Sequence, residues 1–247
     1  MEIDSPFSSM EDFFEKGHKY FLPNLSIDCV IFGFNNNQLK VLLLKWRELA
    51  YHSLPGGFIL KGEHIDDSAK RILEERTGIT NVYLRQFQVF GAPQRAVHPE
   101  KRSIFKTLGF SVPKESWILD RFVSIGYYAL VDFSKVTPKE DLFSESIDWW
   151  DLSEVPELIF DHNTIVNDAL KAMRLQLDVE PVGLTLLPEK FTLPELQKIY
   201  ETILGKTIDR RNFRKKMINS GKLEKLDELK KGGAHRAANL YRFKNKP

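Results

Sequence analysis

The chain has 247 residues, 42% of them apolar, with 36 Lys or Arg against 34 Asp or Glu. That length suits one large domain and a small one with a sizeable core. It excludes a membrane span, because no apolar run approaches the roughly 20 residues one needs. The first residues, with Glu2, Asp4, Glu11 and Asp12, lack the basic-then-apolar order of a secretory signal, so a cytoplasmic location is expected. A single cysteine, Cys29, excludes an internal disulfide and a cysteine-rich zinc site.

Residues 26–33 and 38–46 read as β-strands rich in Ile, Val, Leu and Phe. Asn35, Asn36 and Asn37 between them supply turn chemistry, which predicts an antiparallel hairpin. Cys29 lies within the first strand and is expected to be a buried, inert thiol. Residues 66–77 have the pattern of an amphipathic helix, with Ala69, Ile72 and Leu73 inward and Gly78 as its C-terminal cap. Residues 83–90 and 122–131 are further strands. The polar stretch 94–116 between them, with Arg95, His98, Lys101 and Arg102, is either a mobile loop or a lid near a ligand site. Residues 147–150 give a short last strand. Residues 161–177 carry Ile165, Val166, Ala169, Leu170, Met173 and Leu177 at helical spacing. Pro181 and Gly183 then interrupt the chain, which divides it into units 1–180 and 181–247.

The small net charge hides an asymmetry. From Pro188 onward there are 16 basic and 7 acidic side chains, a local +9, which leaves the first 187 residues at −7. A basic compact module on an acidic domain is the electrostatic footprint expected for nucleic acid. Within it, Thr192 and Glu195 have capping-box spacing for a helix that Gly205 stops. Asp209 is a natural N-cap for a second helix, residues 210–219. There Phe213 and Met217 point one way, while Arg210, Arg211, Asn212, Arg214 and Lys215 cover the other side. A strand from Leu223, a basic glycine-containing turn with Lys231 and Arg236, and a strand over 239–243 complete a winged helix. Arg and Asn pair with guanine and adenine edges, whereas Lys and the wing more often contact phosphate. His162 is expected to be a structural hydrogen-bonding residue near a helix start.

Gly57, five residues, Glu63, seven residues, then Arg71, Glu75 and Gly78 form a spaced pattern preceded by Leu54, Pro55 and Gly56. It resembles the Nudix box, a loop, helix and loop that builds a magnesium and pyrophosphate site. The resemblance implies an α+β fold, a Nudix α/β/α sandwich, followed here by the C-terminal winged helix-turn-helix domain. Two acidic positions of the box are occupied by Ile72 and Arg76. Magnesium requires clustered oxygen ligands, and Glu74 lies roughly 200° around the helix from position 72. No catalytic group, metal or cofactor is therefore expected.

Nearly the whole chain resembles the Nudix-related transcriptional regulators, in which a Nudix-like sensor precedes a winged helix. Besides the box, the resemblance rests on residues 158–162, on residues 186–188 with 191–193, and on residues 209–216. It implies a ligand-responsive regulator that binds double-stranded operator DNA as a homodimer through Arg210, Arg211, Asn212, Arg214, Lys215, Lys231 and Arg236. Its effector would be a pentose or an ADP-ribose-like molecule beside Glu63, Glu75 and Arg76, with Arg95 or His98 reaching in from the long loop, and with Ile72 and Arg76 leaning toward the pentose-sensing type. The alternative is an active Nudix hydrolase of ADP-ribose-like nucleoside diphosphates with an auxiliary basic tail. An RNA-binding module is weaker, because the winged helix offers no aromatic platform for stacking bases.

Overall fold

The computed structural model describes residues 7–46, 50–78, 80, 82, 84–96, 101–136, 144–177, 179, 186–230 and 238–244. The chain opens with helix α1, Met10–Tyr20, whose N-cap Ser9 accepts a hydrogen bond from the Asp12 amide. Sequence reading did not include this helix, which carries Gly17 in its interior. The glycine is there for space: a Cβ on Gly17 would lie 2.4 Å from the Trp117 ring. The same tryptophan donates to the Phe13 carbonyl at 3.1 Å and joins Phe13, Phe21 and Phe58 in an aromatic cluster beside the box.

Strands β1, Phe21–Asn35, and β2, Gln38–Trp46, form the expected hairpin, with Asn35 opposite Gln38. Asn36 and Asn37 both have positive φ, 48° and 61°, as the twist of a two-residue hairpin turn demands. The short β3, His52–Ser53, pairs with β2, and β4, Gly56–Leu60, pairs with the first half of β1. Helix α2, Ile65–Thr77, follows and ends at Gly78 in left-handed conformation. After β5, Leu84–Phe90, the polar stretch is ordered where described: a 3-10 turn at Pro93–Ala96 and helix α3, Lys101–Thr107. Phe105 and Phe110 anchor its described part on Phe14 of α1 through edge-on ring contacts. Strand β6, Val123–Asp132, runs parallel to β1 from Val123 opposite Leu25 to Asp132 opposite Phe34, and β7, Ser144–Asp151, closes on β2.

Alternation along β1 sorts the layers. Ile27, Cys29 and Ile31 pack with Ile59, Ala69, Ile72 and Leu73 on the box-helix face. Val30 and Phe32 face the other way, against Ile165, Val166, Ala169 and Met173 of helix α4, His162–Gln176. The result is a mixed sheet between two helical layers.

The C-terminal unit contains α5, Leu193–Leu204, α6, Arg210–Asn219, and the hairpin β8, Leu223–Lys230, with β9, Ala238–Phe243. Both capping-box bonds between Thr192 and Glu195 are made. Phe213 and Met217 are buried, and the Phe213 ring meets Tyr200 edge-on at 5.2 Å. The apolar cluster of the α4 face continues without interruption through Phe191, Leu196, Ile199, Ile203 and Phe213. Pro181 and Gly183, the expected interruption between units, lie outside the described residues. No described helix is long and apolar enough to cross a membrane.

Candidate effector and DNA-binding sites

The box is organised around one arginine. Arg71 donates from Nε and Nη2 to Glu63 at 3.0 and 2.9 Å, from Nη1 to Glu75 at 3.4 Å, and from Nη2 to the Phe58 carbonyl at 2.9 Å. Glu63 also accepts from Ser68 Oγ and from the Leu60 amide. Burial opposes the Glu63 charge, but the bonds from Arg71 and Ser68 prevail and hold its carboxyl below the usual range. Ile72 is 1% exposed, and a Cβ on Gly57 would come within 2.9 Å of it, so the loop and the helix approach closely at this glycine. One turn on, Arg76 reaches out of the helix and donates to the Gly56 carbonyl at 3.2 Å.

A magnesium ion does not fit this arrangement. Glu63 and Glu75 already share Arg71, an apolar side chain fills position 72, and a cation stands at 76. Among the described residues no three His, Cys, Asp or Glu side chains converge on a common point.

A second polar cluster lies on the opposite face of β1. Asp28 Oδ2 accepts from Arg95 Nη2 at 2.5 Å and from Ser124 Oγ at 2.6 Å. Arg95 Nε is 2.7 and 2.9 Å from the two oxygens of Asp161. His162 Nδ1 accepts the Leu54 amide at 3.0 Å, so its proton sits on Nε2, 3.7 Å from Asp28 Oδ1. Burial pushes the His162 pKa below its usual value, with Asp28 opposing and Arg95 adding to the effect. Gly56 joins the two clusters: it pairs with Asp28 across β1 and β4, and its carbonyl is the one Arg76 holds.

On α6, Arg210, Arg211, Asn212, Arg214 and Lys215 are all exposed. None of the four cations is in an ion pair among the described residues. Basic groups nearby are engaged instead: Lys190 with Glu228, Lys230 with Glu195, and Arg242 with Glu224.

Residues 183–243 match the NrtR DNA-binding winged helix domain, and residues 22–170 match the NUDIX domain. The chain is 32% identical over 252 residues, covering 98% of it and 92% of the relative, to the "ADPR responsive transcriptional repressor NtrR" of Acinetobacter baylyi. The chain belongs to the Nudix-related transcriptional regulators. The crystal structure of Shewanella oneidensis NrtR complexed with a 27mer DNA aligns with this regulator at a TM-score of 0.64 and 29% identity, over 89% of this chain and 93% of that one. A MutT/nudix family protein from Enterococcus faecalis, TM-score 0.66 and 24% identical over 96% and 94% of the two chains, shares the fold.

In this Nudix-related regulator the four residues expected at the effector site fall into two groups. Glu63, Glu75 and Arg76 lie on the box side, while Arg95 is 7% exposed and held by Asp28 and Asp161 behind the sheet. Sequence reading did not anticipate this separation, nor the parts played by Asp28 and Ser124. The only available signal for Asp28 was an acidic residue inside an apolar strand, which asks for a buried partner. His162 has the structural hydrogen bond expected of it. His98, Lys231 and Arg236 lie outside the described residues.

Proposed function

We propose that the protein is an ADP-ribose-responsive transcriptional repressor that binds operator DNA, as a homodimer, through α6 and the wing. Residues 1–180 form the sensor and 181–247 the DNA reader. The observation that supports the DNA-binding half is the solvent face of α6: four exposed cations without ionic partners among the described residues, on a helix docked through Phe213 and Met217, suit an anionic surface. Helix N-terminal residues entering the major groove, with backbone contacts from the wing, suit such a module, and two-fold operators suit a dimer.

ADP-ribose is favoured over a pentose as effector because the relative that matches nearly the whole chain is named for a response to ADPR. The argument from Ile72 and Arg76 toward a pentose carries less weight, since those residues report the loss of metal ligands and not the shape of a sugar pocket. Arg76, beside Glu63 and Glu75 on the box side, and Arg95, behind the sheet, are separate candidate cations, and Arg95 is the one we assign to the diphosphate. In this reading the sensor binds its effector without turning it over, since Ile72 and Arg76 stand at two carboxylate positions of the box.

Thermal unfolding of the full chain with ADP-ribose, NAD and arabinose tests the effector. A ligand bound only to the native state, at 100 times its Kd, adds about 2.7 kcal/mol of stability. ADP-ribose is expected to raise Tm and arabinose to leave it unchanged; the reverse pattern would restore the pentose reading.

A further inference from the structure

Asp161 occupies the N-cap position of α4, where a carboxylate ordinarily accepts a hydrogen bond from a backbone amide of the first turn. Here its side chain makes no cap bond. Both oxygens turn instead to Arg95 Nε. The preceding residue, Phe160, is held at φ 54°, a left-handed conformation unfavourable for a bulky side chain and characteristic of segments whose geometry is imposed by their surroundings.

The charges of this cluster do not balance: one guanidinium, 7% exposed, faces the two carboxylates of Asp28 and Asp161, and the neutral His162 adds nothing. Asp28 is fastened by Ser124 of β6, whereas Asp161 is the more exposed of the two at 24%. An anion arriving at Arg95 would exchange with Asp161. Once released, Asp161 can cap its own helix, where the positive end of the helix dipole favours it.

We propose that Asp161 is the switch residue of the sensor: it shares Arg95 with the diphosphate of the effector, and capture of Arg95 by ligand frees Asp161 to cap α4 and reset that helix against the winged helix. This rests on the proposed ADP-ribose response and supplies its mechanism. The far end of α4 is already bonded to the DNA-reading unit. Arg174 Nε donates to the Ile203 carbonyl at 2.8 Å, and the Tyr200 hydroxyl donates to the Leu177 carbonyl at 2.6 Å. Tyr200 in turn packs on Phe213 of α6. A reset at one end of α4 therefore has a continuous packed route to the reading helix.

The test uses full-length protein, ADP-ribose, and a duplex selected by the wild-type protein from a random-sequence pool. Asp161→Asn keeps a good N-cap and removes the ion pair, so it imitates the released state. Wild type is expected to change its DNA affinity on saturation with ADP-ribose by about 5- to 150-fold, the usual range of coupling. Asp161→Asn without ligand should already have the DNA affinity of saturated wild type, respond to ADP-ribose by less than about twofold, and bind ADP-ribose more tightly because its competitor is gone. Arg95→Lys, which keeps the charge but loses the fork, should give the same ligand-independent DNA affinity with weakened ADP-ribose binding. A full wild-type response in Asp161→Asn overturns the switch while leaving the proposed function intact. Loss of both DNA and ligand binding in the two variants also overturns it, in favour of a purely structural role. A wild-type protein indifferent to ADP-ribose removes the proposed function and the switch with it.

Discussion

Arg174, on the last turn of α4, donates from Nε to the carbonyl of Ile203 on α5 at 2.8 Å, so the sensor and the DNA-reading unit are joined by a charge-assisted bond to a buried residue. Hydrogen bonds involving a charged group contribute about 1.5–3 kcal/mol, and loss of the donor leaves the carbonyl unsatisfied. Arg174→Ala should therefore lower unfolding stability by that amount. It should also reduce the effect of ADP-ribose on DNA affinity while leaving intrinsic DNA binding within about twofold, because α6 is untouched. Tyr200→Phe, which removes the donor to the Leu177 carbonyl, is expected to cost about 1 kcal/mol. Denaturant melts and anisotropy titrations check both.

The exposed cations of α6 predict a steep salt dependence. Every phosphate left without its cation should reduce the slope of log K against log salt by about 0.9. Arg211→Ala with Lys215→Ala should therefore weaken binding and lower the slope by about two if both side chains neutralise phosphate, whereas a base-reading Arg211 would show relaxed sequence preference. Phe213→Ala acts differently: the buried ring docks the helix, and its removal should cost about 3–5 kcal/mol of stability. Unchanged DNA affinity in the Arg211 and Lys215 double variant would show that another surface reads DNA.

Much of this fold was legible because its signals are local. The turn of Asn36 and Asn37, the box spacing and the Thr192 capping box each follow from neighbouring residues, and the structure has all three. What was not legible depends on distant partners. Helix α1 needs Trp117 to explain Gly17. In sequence Arg95 reads as a loop residue within reach of the box, but its position is decided by Asp28 and Asp161, 67 and 66 residues away in the chain. The bond from Arg71 to Glu63, by contrast, spans eight residues across one loop and helix, so the motif that resembles the Nudix box is complete within one local segment.

Magnesium-dependent hydrolysis of ADP-ribose should be absent or marginal. Glu63 and Glu75 are bound to Arg71, and positions 72 and 76 offer no oxygen ligand. Chromatographic assay of ADP-ribose with pure protein and magnesium should show no product above the protein-free control. Efficient turnover that Glu75→Gln abolishes would contradict this.

Stability should fall on mild acidification. Buried His162 is neutral, with its folded pKa depressed below 6.5, while in the unfolded chain it takes up a proton near that value. The unfolded state then binds more protons as pH drops below about 6.5, so the His162 contribution is fully present above that pH and is lost progressively below it. Asp28, Arg95 and Asp161 are the charged groups that face the ring. Urea melts at pH 7.5 and 5.5 should show lower stability at 5.5, and His162→Gln, whose amide oxygen can still accept the Leu54 N–H, should reduce the difference. An equal pH dependence in the two proteins would place the effect elsewhere.

The most direct test of ligand-controlled DNA binding is the affinity of the full-length protein for ADP-ribose, measured calorimetrically with and without saturating selected duplex. Linkage requires DNA to change ligand affinity by the same factor as the ligand changes DNA affinity. The two ADP-ribose Kd values are expected to differ by at least about fivefold, and the same factor should appear when DNA is titrated with and without ADP-ribose. Equal Kd values in the presence and absence of DNA would contradict regulation by this ligand, because an occupied site that does not distinguish the two states of the protein cannot control its hold on DNA.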